Sequence, residues 1–260
     1  MPRFLTIAAL LLAIPAAAQT VRVAAAADLE PVLPAIFAQF QSATGIQAVA
    51  SYQSSAALTT LIENGAPFDL FLSANMDYPQ RLIAGGLAQG DNSRPFLYAR
   101  GALVLWTRKD AHFPPPSLDL LRGPALKTLA IANPQRAPYG KAAVAALQKL
   151  GLYNALKPRL VTAENIAQAA QFVDSGNAGA GLISMTAATT PRLAAAGSYF
   201  VIPQDLYPPI EQGAVILTKS SQRAAAKKLL DFLMSAPVQQ ELRKYGLSPA
   251  GDHPSSGLTR

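Results

Sequence analysis

The chain has 260 residues, half of them apolar and 14% charged, with a net charge of +7. That length supports one large domain or two small lobes with a real core, and the apolar content excludes a disordered chain. Cysteine is absent and only His112 and His253 are histidines, which excludes disulfides, thiolate metal sites and a cysteine nucleophile, and argues against a multi-histidine metal centre. Basic residues never form a run of four, so no nucleic-acid partner is expected.

Residues 1–18 read as a secretory signal: Arg3 near the start, an apolar run at 4–14, then Pro15 and the small residues Ala16, Ala17 and Ala18. Cleavage is expected after Ala18, and the expected location is a bacterial periplasm. No cysteine follows that point, which excludes a lipoprotein anchor, and no apolar run is long enough to span a bilayer. The far end, 251–260, is rich in Gly, Pro and Ser and reads as a loose tail.

Between those ends, short apolar runs alternate with helical patterns. Runs at 21–27, 46–52 and 68–72 are expected as strands. A helix follows each: through Ile36, Phe37 and Phe40 to Gly45, from Ser55 through Leu58 and Ile62 to Gly65, and through Leu82 and Ile83 to Gly85. A long run at 96–106 crosses into a second region. Strands are expected there at 129–132, 160–161, 180–184 and 215–217, and helices at 141–150, 164–173, 224–234 and 238–245. Pro237 falls in the first turn of the last helix, where its missing N–H costs little. The alternation predicts an α/β fold with parallel sheets and helices on both faces: two doubly wound lobes joined by extended crossover strands. Lobe 1 is expected over 19–99 and 212–250, and lobe 2 over 100–211.

In such sheets ligands bind at the carboxyl ends of strands, where helix N-termini present free N–H groups. Ala27 and Asp28 follow the first strand, and Ser54 and Ser55 the second. Ala137, Pro138, Tyr139 and Gly140 precede the helix at 141, Glu164, Asn165 and Ile166 open the next, and Ser184 ends a later strand. Hydroxyls, amides and small side chains dominate, with no Lys or Arg at the turns. An anion here would be held by neutral donors and helix dipoles. Taken singly, Ser54 or Ser55 is ordinarily an N-cap.

Other features read as structural. Gly176, Gly179 and Gly181 precede a strand and mark a tight turn rather than a phosphate loop. Asp69 and Asp77 read as solvated or capping, Trp106 as core, and His112 as a surface loop residue. No nucleophile–base motif is present, so no enzyme activity and no cofactor are expected.

At its strand–helix junctions the sequence closely resembles the molybdate-binding periplasmic components of ABC transporters. The matching stretches are AAAADL from Ala24, YQSSAAL from Tyr52, NGAPFDLFLSA from Asn64, LYARGALVLW from Leu97, IANPQRAPYGKAAVAAL from Ile131, ENIAQAAQFVDSGNA from Glu164 and LYPPIEQGAVIL from Leu206. They cover nearly the whole chain beyond residue 18, in family order. The resemblance implies a type II periplasmic binding fold, acting as a monomer, that closes around one tetrahedral oxyanion. By the resemblance, such a protein carries molybdate or tungstate to a membrane permease, with the metal held through its oxygens and no direct metal ligands. By the resemblance, the contacts come from Ala27, Asp28, Ser54, Ser55, Tyr139, Asn165 and Ile166. Ser184 stands where some members place a tyrosine hydroxyl. The alternative ligand is another small tetrahedral oxyanion, such as sulfate or phosphate.

Asp28 fits this site least well. An ionised carboxylate about 4 Å from a dianion is repelled by several kcal/mol even at a generous effective dielectric. Its side chain either turns back onto helix N–H groups, as a capping aspartate does, or takes up a proton and donates it to the anion. Capping is the expectation, and it leaves affinity nearly flat between pH 6 and 8. A shared proton makes affinity fall as pH rises.

Overall fold

The computed structural model describes residues 19–249, so the expected signal and tail, with His253, lie outside the described residues. Eleven strands are described, in chain order: β1 Thr20–Ala26, β2 Gln47–Gln53, β3 Leu70–Ser73, β4 Ala88–Gln89, β5 Phe96–Gly101, β6 Leu103–Arg108, β7 Leu129–Ala132, β8 Leu160–Ala163, β9 Ala180–Ser184, β10 Gly197–Val201 and β11 Ile210–Leu217. They form two sheets. The first has the order β2-β1-β3-β11-β4, with β5 also paired to β11; the second runs β10-β6-β9-β7-β8.

The expectation of parallel sheets is corrected: both are mixed. β1 runs parallel to β2 and β3, and β7 to β8 and β9, as βαβ crossovers require. But β11 is antiparallel to β3, β4 and β5, and β6 to β9 and β10. The reason is the route between sheets. The apolar run at 96–106 is two strands, one in each sheet, separated by Ala102. The chain returns through the segment between β10 and β11. Strands entered directly from the other sheet need no crossover helix and pair antiparallel. Tyr207, on the return segment, takes the Leu103 N–H on its hydroxyl at 3.1 Å and ties the two connections together.

The central strands β3, β7 and β9 bury both faces, which is why they read as continuous apolar runs. Leu70 and Leu72 pack with Val21, Val23, Ile36 and Phe40 on one face of the first sheet, while Phe71 between them packs with Leu58, Ile62 and Leu82 on the other. This is the two-residue alternation of a strand. Asp69, expected as solvated or capping, is instead buried and clamps neighbours: its carboxylate accepts from the Arg22 N–H at 2.7 Å and the Ser220 hydroxyl at 2.6 Å. Asp77 opens the helix Asp77–Ala84 and accepts from the Asn75 amide.

Trp106 is fully buried in the second core, as expected. Gly197 makes room for it: a Cβ at this position would lie 2.2 Å from the indole and 2.3 Å from the Thr107 carbonyl oxygen. Gly197→Ala therefore forces β10 off β6 or the ring off its site. Overpacking of this kind costs about 1–3 kcal/mol. The expected result is a thermal midpoint lower by roughly 2–4 °C per kcal/mol, read by calorimetry; an unchanged midpoint would show that the strand yields freely.

Candidate functional site

Four strand-to-helix junctions, two from each sheet, meet at one small cavity. Ala27 and Asp28 form a 3-10 turn directly after β1. Ser54 and Ser55 join β2 to the helix Ser55–Glu63. Tyr139 lies in the first turn of the helix Pro138–Lys149, which starts three residues before the expected 141 because Pro138 is suited to a first helical position. Asn165 and Ile166 join β8 to the helix Ile166–Asp174. All seven residues line the cavity, and no lysine or arginine does.

The donors can be assigned one by one. The first N–H groups of a helix have no intrahelical acceptor. At the helix Ser55–Glu63, the Ala57 N–H is taken by the Ser54 hydroxyl at 3.4 Å, and the Ala56 N–H reaches across to the Arg136 carbonyl at 3.2 Å. That leaves the Ser55 N–H. The two serines thus divide the work: Ser54 is the cap, as its sequence position suggested. Ser55 is not, because its hydroxyl oxygen instead accepts from the Ala74 N–H at 3.1 Å. The Ser55 hydroxyl proton has no acceptor among the described residues and is a donor for the cavity. At the helix Ile166–Asp174, Asn165 caps the Gln168 N–H at 2.9 Å, and the Ile166 N–H remains.

Ser184 is not brought to this cavity. It lines a wider one that also borders Asp28, together with Glu30, Asp174 and Arg192. Its oxygen is engaged by the Thr186 hydroxyl at 2.8 Å and caps the short helix Met185–Ala188 through the Ala187 N–H.

Asp28 overturns the capping expectation. It is the middle residue of its 3-10 turn, not the residue before it, and no side-chain cap is made there; the next helix, Leu33–Thr44, is uncapped too and carries Pro34 in its first turn. The carboxylate reaches across the interior instead. Its Oδ2 accepts from the Gln212 amide at 2.5 Å and from the Tyr139 hydroxyl at 3.1 Å, and Oδ1 has no partner. Gln212 is oriented in turn by the Tyr98 hydroxyl, which donates to its Oε1 at 2.6 Å. Gly101 lets this cluster form, because a Cβ there would sit 2.1 Å from the Tyr139 hydroxyl. Sequence reading missed Gln212, Tyr98 and Gly101; the only available signal was a polar residue inside an otherwise apolar strand, Gln212 in β11.

Burial pushes the Asp28 carboxyl up to about 6, against the opposing hydrogen bonds from Gln212 and Tyr139. Burial, followed by the charge on Asp28, likewise holds the hydroxyls of Tyr98 and Tyr139 well above the ordinary tyrosine value. Both therefore remain donors at neutral pH.

Two further contacts join the halves at the rim of the cavity. Besides the Ala56–Arg136 bond, the Tyr78 hydroxyl donates to the Gln135 carbonyl at 3.5 Å, and the Lys141 ammonium lies 6.0 Å from the centre of the Tyr78 ring.

The raised Asp28 carboxyl makes the stability of the fold depend on pH. An acid whose folded pKa is raised favours folding while protonated, below the unfolded value of 3.8, and loses that contribution as pH rises through about 6. Asp28→Asn, which keeps the shape without the charge, is expected to stabilise the protein at pH 8 by about 3 kcal/mol relative to wild type. The gap should close towards pH 4. Denaturant titrations at both pH values measure it, and a gap independent of pH refutes the raised carboxyl.

Comparison with known proteins places this architecture. Residues 21–248 match the family described as bacterial extracellular solute-binding protein. The molybdate-binding protein ModA of Azotobacter vinelandii is 40% identical over 237 residues, covering 91% of this chain and 92% of that protein. Among solved structures, the periplasmic molybdate-binding protein of Azotobacter vinelandii superposes with a TM-score of 0.79 at 32% identity, covering 87% of this chain and 98% of that one. The sulfate-binding protein SubI of Mycobacterium tuberculosis shares the fold, with a TM-score of 0.75 at 17% identity over 90% of this chain and 88% of that one. By the extent of these matches the chain belongs to the bacterial extracellular solute-binding proteins, and within them to the ModA type.

Proposed function

We propose that this protein captures molybdate, and tungstate with it, in the periplasm and delivers it to the membrane permease of an ABC transporter. The observation that carries the reading is the convergence of four strand–helix junctions on one small cavity lined by N–H and O–H donors, one carboxyl group, that of Asp28, and no cation. Such a site suits a compact anion with acceptors on every side, held by N–H and O–H groups and helix dipoles. The names of its relatives narrow that anion to molybdate. Tungstate, of equal charge and shape, fills the same role.

In this reading the two sheets with their helices act as two lobes, residues 19–99 with 212–250 and residues 100–211, which close on the ion. Ala27, Asp28, Ser54, Ser55, Tyr139, Asn165 and Ile166 form the binding site. Ser54 and Asn165 hold the helix ends in place, and Ser55 and Ile166 donate to the ion. Ser184 stays at the margin. The protein works as a monomer, is exported by a signal cleaved after Ala18, and performs no chemistry on its cargo.

A second reading, another tetrahedral oxyanion such as sulfate, is favoured by one observation: neutral donors sense charge and shape but not the central atom. The fold serves a protein named for sulfate binding as well. Calorimetric titration of the mature protein with molybdate, tungstate, sulfate and phosphate separates the two. Tight and near-equal binding of the first two with little heat from the others is expected. Comparable sulfate binding removes the selectivity, and no heat with any of the four removes the function.

Ser55→Ala tests the site itself. It deletes one hydroxyl donor to a charged ligand, worth about 1.5–3 kcal/mol, or roughly ten- to over a hundredfold in affinity. A loss under threefold in a folded variant would return Ser55 to a purely structural role on the Ala74 N–H.

A further inference from the structure

Asp28 is the one ionisable side chain on the cavity wall that ends the hydrogen-bond accounting with an unfilled position. It is 1% exposed, and its Oδ1 is buried with no partner. Its Oδ2 is saturated by two donors, and their direction is fixed. The Tyr98 hydroxyl donates to Gln212 Oε1, so the Gln212 amide must turn its Nε2 towards Asp28. Tyr139 adds a second donor to the same oxygen. An oxygen that accepts two hydrogen bonds is the less basic of the pair, so a proton on this carboxyl belongs on Oδ1.

An ionised Asp28 and a bound dianion cannot share the cavity without strong repulsion, because no cation lies on its wall. We propose that capture of the dianion is coupled to uptake of one proton by Asp28, whose Oδ1 then donates that proton to an oxygen of the bound ion. This rests on the oxyanion reading above. The balance is simple: carboxylate, solvent proton and dianion combine to a neutral carboxylic acid hydrogen-bonded to the dianion, with no covalent bond to the ion made or broken. Asp28 thereby becomes a specificity residue. It requires an acceptor oxygen opposite it and resists the ion when its proton is lost.

The tyrosines around Asp28 do not compete for this titration. Tyr139 from the helix Pro138–Lys149 and Tyr98 from β5 stay protonated, since burial and the charge of Asp28 raise both. Tyr207 on the return segment and Tyr52 on β2 are raised by burial as well. Glu30, Asp174 and Arg192 border the wider cavity beside Asp28, and Arg192 is paired with Asp174 at 2.7 Å. Burial already lifts the Asp28 carboxyl towards neutrality before any anion arrives, and a neighbouring dianion lifts it further.

The test is calorimetric titration of the mature protein with dilute sodium molybdate at pH 6.5, 7.5 and 8.5, in pairs of buffers with low and high ionisation enthalpy. With a free-state value of about 6, wild-type affinity should fall roughly tenfold per pH unit, or about 50- to 100-fold over the range, and close to one proton should be taken up at pH 8.5. Asp28→Asn carries a permanent N–H donor in place of the proton. It should bind with no pH dependence and no proton uptake, and more tightly than wild type at pH 8.5. Wild-type binding that is flat with pH, with no buffer-dependent heat, overturns the inference and leaves the oxyanion reading standing. A folded Asp28→Asn that cannot bind molybdate at any pH overturns the donor role. Absence of molybdate heat in the wild type at every pH overturns both readings. The wild-type proton count stands even if the variant fails to fold.

Discussion

A buried anion without a counter-cation needs a shell of oriented donors, and that need governs this architecture. A hydrogen bond to a charged group contributes about 1.5–3 kcal/mol, so several must converge to offset the loss of water around a dianion. A single helix N-terminus presents at most a few free N–H groups. Bringing four junctions to one point takes two sheets facing each other with the carboxyl ends of β1, β2, β7 and β8 turned inward. The antiparallel strands β6 and β11 follow from the same requirement, because each is the first strand after the chain has crossed from one sheet to the other.

The hydroxyls nearest the cavity show how closely structure and binding are interleaved. Ser54 and Asn165 spend their side-chain oxygens on helix N–H groups, and so fix where the neighbouring Ser55 and Ile166 N–H groups point. Ser55 is anchored by the Ala74 N–H at the end of β3, which sets its rotamer and leaves the proton as its outward-facing element. The residues that hold the helix ends thus decide the geometry of the N–H groups beside them.

Much of this was legible in the sequence because it is local. A strand buried on both faces reads as an unbroken apolar run, and the first residues after it open the helix, so Ser55, Tyr139, Asn165 and Ile166 could be placed at junctions from their neighbours alone. Ser184 ends a strand too, but its sequence position could not show that Thr186 and Ala187 occupy it. The break at Ala102 was hidden because an alanine between two apolar strands gives no turn signal. β4 is two residues long, and β10 is half-buried without a clear alternation, so neither announced itself. The orientation of Asp28 was beyond local reasoning altogether. Its first partner, Gln212, lies 184 residues away, and an aspartate just after a strand carries the same sequence signature whether it caps or faces inward.

The rim contacts have a consequence for how such a protein can drift. Two of the three are made to main-chain oxygens, those of Gln135 and Arg136, and the side chains at these positions take no part in them. These two contacts therefore leave the side chains of Gln135 and Arg136 unconstrained, while they fix the length of the loop between β7 and the helix Pro138–Lys149. One residue more or fewer would carry both oxygens out of reach of Tyr78 and Ala56. Substitutions can recolour the lip of the cleft for a different membrane partner, but an insertion there would hold the two halves apart.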